Sequence, residues 1–291
     1  MLKRMRAAHP FLYCILAVVL FLAVMRAGTT LFVLVLTLLG PAVYWPFAQE
    51  DFLLQSVNEL FGVLAGVFLL GRTGRLWVYR QRGRGFLDGL LVGMVPFVMV
   101  SLAFSVNLQP GPEAAFKPAW QIAVFFLCMF FISLAEETLF RGVIAETLLE
   151  HFGPGRAGVW KACLLSGLLF GSGHLVNLLS SAPVGVLVQC GMTAALGTLY
   201  AAIYFRGGNL WVLVFLHTMQ DVAALIGSGL YESTASISEV VSSYDPSMLT
   251  GALIYLIPTV FLLRKRRNPE VAAFWPRLEP PRPAGNTETA Q

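Results

Sequence analysis

An all-α bundle of about eight membrane-spanning helices is the fold class this sequence predicts, and three observations carry that expectation. The 291 residues are 57% hydrophobic and only 12% charged, against about 25% charged in a soluble chain. Apolar runs long enough to cross a bilayer recur from one end to the other. The basic residues sit between and after those runs, where they report topology, so the net charge of +4 is no nucleic-acid signal. No nucleic-acid partner is expected. The lipid bilayer is.

The candidate spans are 11–40, 53–71, 86–107, 119–140, 160–179, 184–205, 209–227 and 247–263. Lys3, Arg4 and Arg6 ahead of the apolar run Phe11 to Met25 resemble a signal peptide, but no small-residue cleavage site follows and Arg26 comes directly after, so the run reads as a retained first span. It is either one long tilted helix or an interfacial helix to about Met25 followed by a span from Thr29. Gly40-Pro41, Pro110-Gly111-Pro112, Gly153-Pro154-Gly155, Pro183 and Gly207-Gly208 mark turns at the span ends.

With the N-terminus inside, eight crossings place Arg72, Arg75, Arg80, Arg82, Arg84, Arg156, Arg206 and the run Arg264-Lys265-Arg266-Arg267 inside. Glu50, Asp51, Glu113 and the acidic segment 228–246 then fall outside, in agreement with the positive-inside rule. Both termini are therefore expected in the cytoplasm. From Asn268 the chain is rich in proline and lacks apolar periodicity, as a disordered cytoplasmic tail would be. The predicted organisation is a single transmembrane domain, 1–267, with a core at 119–227 and a tail at 268–291. Cys14, Cys128, Cys163 and Cys190 all lie in apolar runs without CxxC spacing and read as small hydrophobes.

The chemistry lies in the polar residues these runs contain. A charge at bilayer depth costs at least ~2.5 kcal/mol, yet Glu136 and Glu137 adjoin at the end of one run, with Arg141 four residues on. Glu137 and Arg141 share a helix face and can pair; Glu136 points about 100° away and is free for another partner. Taken alone, the cluster also fits a helix end at the inner surface, with Glu146 and Glu150 continuing a solvated tail. Folding the chain back at Gly153-Pro154-Gly155 brings residue 136 opposite 172 or 173, so His174 lies level with the two acids. Gly171 and Gly173 would let another backbone approach, and Asn177 extends the polar face by a turn. His217 and Asp221 form a second i, i+4 pair. For them to reach the same depth, the 136/174 hairpin must protrude at the inner side, which a helical tail through Phe152 allows.

Three separate helices thus carry ionisable groups at one compatible depth, as a shared site would require. A carboxylate and a histidine can activate water; a histidine and an Asp or Asn can stabilise an oxyanion, the Asp only when protonated. The same Glu136, His174, His217 and Asp221 are also N and O ligands of the kind a divalent metal such as zinc takes, and the sequence leaves metal-bound and metal-free water open. No HExxH, GxSxG or suitably placed cysteine appears, so water is the expected nucleophile and hydrolysis the expected reaction.

Glu136-Glu137-x-x-x-Arg141, Phe170-x-x-x-His174 and His217-x-x-x-Asp221 together resemble the three-motif signature of the CPBP (CAAX protease and bacteriocin-processing, or Abi) intramembrane proteases, over roughly 119–227. The resemblance implies an eight-span fold and an endopeptidase acting on a membrane-associated peptide or protein. It implies that Glu136 and His174 activate water, that His217 and Asp221 stabilise the oxyanion, and that Glu137, Arg141, Phe170 and Asn177 support them. Such enzymes are described both as metalloproteases and as metal-free glutamate proteases, so the cofactor is either none or Zn2+ or another divalent metal. Short loops and an arginine-rich inner face are bacterial in character, which points to a multi-pass protein of a bacterial cell membrane. Two other classes remain to be set against this: a proton- or ion-coupled transporter using the same groups as a relay, and a non-catalytic immunity or scaffold protein of the same fold. A transporter is expected to show inverted repeats and helices broken in mid-span; the sequence displays neither.

Overall fold

The computed structural model describes residues 1–80, 83–109, 115–232 and 236–275. Arg82, the turn at 110–112 with Glu113, and the chain from 276 lie outside the described residues. The described chain is helical, and its one extended pairing is an isolated antiparallel bridge between Phe116 and Tyr231. In order the helices are α1 (Leu2–Ala8), α2 (Pro10–Leu39), α3 (Pro41–Ala48), α4 (Asp51–Thr73), α5 (Phe86–Val92), α6 (Met94–Asn107), α7 (Ala119–Glu137), α8 (Glu146–Phe152), α9 (Arg156–Gly173), α10 (Pro183–Gly207), α11 (Leu210–Leu230), α12 (Ile237–Ser242), α13 (Ala252–Leu262) and α14 (Asn268–Phe274). A π-helical stretch, Thr138–Ala145, makes α7 and α8 continuous, and a 3-10 turn, His174–Leu179, extends α9.

Six helices are long and apolar enough to cross a membrane, and two bent pairs bring the total to as many as eight. The protein is a multi-pass membrane protein. The first apolar run is one uninterrupted helix of 30 residues. It does not hinge at Arg26-Ala27-Gly28: the Thr30 hydroxyl donates to the Arg26 carbonyl at 2.8 Å, and Gly28 lets the Phe61 ring of α4 pack against its backbone.

The expectation of unbroken spans is corrected between α5 and α6, which meet at 83°. The cause is local: Pro96 lacks an N–H and its ring collides with the carbonyl four residues back, so the helix restarts after Gly93. Leu216 and Ile203 pack against Gly93, so the break is met by apolar side chains. Asn268–Phe274 forms helix α14, folded back at 57° from the last span, and the indole N–H of Trp275, 4% exposed, donates to the Phe205 carbonyl at 2.9 Å.

The core runs along α10, buried without interruption from Ala195 to Gly207, and along the chain from Thr138 to Leu149. Small residues set the closest approaches: Gly66 of α4 lies against Thr138, and Gly171 of α9 against Cys190 and Ala194 of α10. Gly173 has only the rim of Phe140 nearby, so of the two glycines read as packing positions Gly171 is the one that serves. Glu146 accepts from Arg75 and, at 2.6 Å, from Tyr204, which sets it level with the ends of α4 and α10. The rest of α8 runs on for about 9 Å at 1.5 Å per residue and ends with His151 and Phe152 packed on Phe11 of α2.

Candidate active site

His217 is the centre of the polar cluster. It lies two turns into α11, 4% exposed. Its Nδ1 donates to Glu137 Oε1 at 2.8 Å. Its Nε2 faces Glu136 Oε2 and Asp221 Oδ2, each at 3.6 Å. The two acids adjacent in sequence thus take the two sides of one imidazole, as expected of neighbouring helical residues that point about 100° apart.

Glu137 is fully buried and held between two cations or donors: Arg141 Nη1 stands 3.0 Å from the same Oε1, one turn along. Arg141 is itself fully buried. It donates from Nη2 to the Gly197 carbonyl at 3.2 Å, and its guanidinium lies 4.7 Å from the Phe170 ring centre and 5.4 Å from that of Tyr200. A buried guanidinium needs such partners on every side. By contrast the side chains of Glu136 and Asp221 are 22% and 23% exposed. The cluster has a dry half that fixes His217 and an open half where water and a substrate can reach two carboxylates. Ser133 Oγ, one turn before Glu137 on α7, approaches Asp221 Oδ2 at 3.5 Å.

His174 begins the 3-10 turn after α9 and donates from Nδ1 to the Phe170 carbonyl at 3.1 Å. A carbonyl only accepts, so the ring proton is on Nδ1 and a neutral His174 presents Nε2 as a base. Phe170 connects the two imidazoles: its ring meets His174 edge-on at 5.3 Å and His217 at 5.8 Å. His174 is also within electrostatic range of His217 and Asp221. Asn177 turns elsewhere, donating to Gln189 Oε1 of α10 at 2.9 Å.

Two residues escape the sequence reading. Tyr200, fully buried on α10, packs its ring 5.7 Å from His217; in an apolar run it carries no signal of its own. Glu59 does carry one, as a lone acid inside the second span. It is 4% exposed and accepts from Gln55 at 2.6 Å and Asn58 at 3.2 Å. Its Oε2 is buried without a partner among the described residues, within electrostatic range of Glu136 and Asp221.

Residues 118–223 match the family model described as type II CAAX prenyl endopeptidase Rce1-like. Over this segment, about a third of the chain, the protein is similar to the CAAX proteases. It contains Glu136, Glu137, Arg141, Phe170, His174, His217 and Asp221, so the family match and the polar cluster coincide. No curated protein matches the chain. Members of the CAAX protease family are intramembrane endopeptidases, the class to which multiple apolar helices and a buried acid–imidazole cluster are suited.

A zinc site needs three or four donors closing on one point. Among the described residues no group of three His, Cys, Asp or Glu side chains is arranged to hold a metal ion.

Proposed function

We propose that the protein hydrolyses a peptide bond of a membrane-associated protein or peptide, with Glu136 and His174 activating the attacking water. The observation that supports this is the half-open cluster: Glu136 and Asp221 are accessible while the imidazole between them is locked from behind by Glu137. Ionised Glu136 accepts a proton from water as it attacks the carbonyl, and the free Nε2 of His174 accepts the second hydrogen bond that orients that water. His217, donating from Nδ1 to Glu137, can carry a proton on Nε2 as well. That N–H then donates to the oxyanion, where such donors matter most. Asp221 donates beside it when protonated; when ionised it holds the His217 proton in place. The leaving amine takes its proton from Glu136.

In this reading the cluster lies in the cytoplasmic half of a bacterial cell membrane, with both termini on that side. The substrate reaches it laterally or from the cytoplasm. A prenylated CAAX peptide is one substrate to assay, alongside unprenylated membrane peptides.

Glu136→Gln and His174→Ala, each purified in detergent and compared with wild type on such peptides, should lower the rate by about 10²–10⁴-fold, the usual range for a lost general base. Unchanged cleavage by both folded variants would overturn the proposal. The bend between α5 and α6 is a feature the transporter reading calls for, and a proteoliposome ion flux that survives both substitutions would favour that reading.

A further inference from the structure

At the end of the bundle where the arginines collect, α5, α10, α13 and α14 surround a cavity of about 300 Å³ lined by Arg84, Asp88, Leu91, Val92, Arg206, Leu262 and Arg267. One carboxylate serves all three guanidiniums: Glu270 accepts from Arg206 at 2.5 Å, Arg267 at 2.6 Å and Arg84 at 3.1 Å. Burial alone would raise the Glu270 carboxyl, but Arg206 and Arg267 hold it at about 2, so it is an anion at neutral pH. Even with Asp88 counted, one positive charge is left over.

The donors are left over as well. The Nε–H of Arg84, of Arg206 and of Arg267 is buried with no partner among the described residues, and the Arg206 side chain is only 8% exposed. A buried unmade hydrogen bond costs about 1–3 kcal/mol, more for a charged group. Three such guanidiniums lining one cavity, with a positive charge to spare, favour an anionic occupant with several oxygens. The surroundings narrow the source. Leu87, Leu91, Met94 and Val95 on α5 and α6 are exposed apolar side chains, and in a membrane protein such surface faces lipid. The cavity sits where that surface gives way to the basic end, the level at which a bilayer holds its phosphates.

We infer that this cavity binds a phosphate group, which the arginines grip while acyl chains lie along α5 and α6. A phospholipid headgroup and free phosphate share that chemistry. The test uses the full-length protein in detergent and follows its melting temperature during titration with phosphatidylglycerol, with diacylglycerol (which has the same chains without phosphate) and with inorganic phosphate.

Phosphatidylglycerol should raise the melting temperature, and diacylglycerol should not. Arg84→Gln and Arg267→Gln, whose side chains are partly exposed and need not disturb the fold, should each weaken the response about tenfold. Leu91→Trp should weaken it by filling the cavity with every charge intact. Arg266→Gln, nearby but outside the cavity, should not weaken it. A response to inorganic phosphate matching that to the lipid assigns the site to free phosphate. The inference fails if neither phosphate source stabilises the protein, if diacylglycerol does so equally, or if Arg266→Gln weakens binding as much as Arg267→Gln.

Discussion

The continuous helix from α7 to α8 carries two buried acid clusters about two turns apart, and they are built on opposite rules. At Glu146 the charges balance. Glu146 and Glu150 meet Arg75, Glu150 also meets Arg6 at 2.6 Å, and Tyr204 donates to Glu146. At Glu136 they do not. Glu136, Glu137 and Asp221 crowd one imidazole, Arg141 is the one nearby guanidinium that pairs among the described residues, and Glu59 adds a further acid at longer range. A balanced network minimises the cost of burying charge; an unbalanced and half-open one keeps that cost unrelieved. Function is the usual reason a fold retains it. Glu146 therefore belongs to the framework, although its sequence position also fits a solvated tail.

Removing one acid from each cluster should separate the two rules most widely. Glu146→Ala leaves the Arg75 guanidinium, itself 8% exposed, with Glu150 as its carboxylate partner and removes the fully buried half of the pairing, which should cost about 2 kcal/mol of stability. Glu136→Ala removes a carboxylate from a surplus and should leave stability unchanged or raise it by up to ~1 kcal/mol. Denaturation in mixed micelles measures both. A destabilisation by Glu136→Ala as large as that of Glu146→Ala would make the two clusters equivalent and dissolve the distinction.

Glu137 sharpens the comparison because it belongs to both kinds. It closes an ion pair with Arg141, as a framework residue would, and it orients His217, as a site residue would. Glu137→Gln keeps an acceptor for one donor but leaves fully buried Arg141 without a counter-charge. The expected cost is about 2 kcal/mol in stability, together with a fall in kcat at unchanged KM once enough folded protein is assayed. A stability loss with normal kcat would reduce Glu137 to framework alone.

What could be read from the chain beforehand follows the range of each interaction. The Glu137–Arg141 pair is local, one helical turn, and spacing alone discloses it. The level of His174 follows from counting residues on either side of the Gly153 turn. The partner chosen by His217 is not local. It depends on how α11 is rotated against α7, and no residue preference announces that rotation. The break after Gly93 was missed, because a hydropathy window averages across Gly93 and Pro96. Helix α14 was hidden for a different reason. Its composition is that of a tail, and what holds it is one carboxylate among arginines, the Asn268 amide on the Pro154 carbonyl, buried Val271 and the indole that follows.

Asn177 gives the smallest expected effect and tests where the site ends. By spacing it continues the polar face from His174 by one turn, and the family resemblance makes it a supporting residue. Its amide instead donates to Gln189, so it fastens the 3-10 end of α9 to α10. Deleting a partly buried neutral hydrogen bond of this kind costs about 0.5–1.5 kcal/mol. Asn177→Ala should therefore lower stability by roughly that amount and leave kcat/KM within about twofold, because the His174 ring is held separately by the Phe170 carbonyl. Gln189→Ala should have the same effect, and the double variant should add little, since both remove one bond. A tenfold fall in kcat/KM from Asn177→Ala with Gln189→Ala normal would mean that the amide acts on substrate, and the site would then extend along α9 past its imidazole.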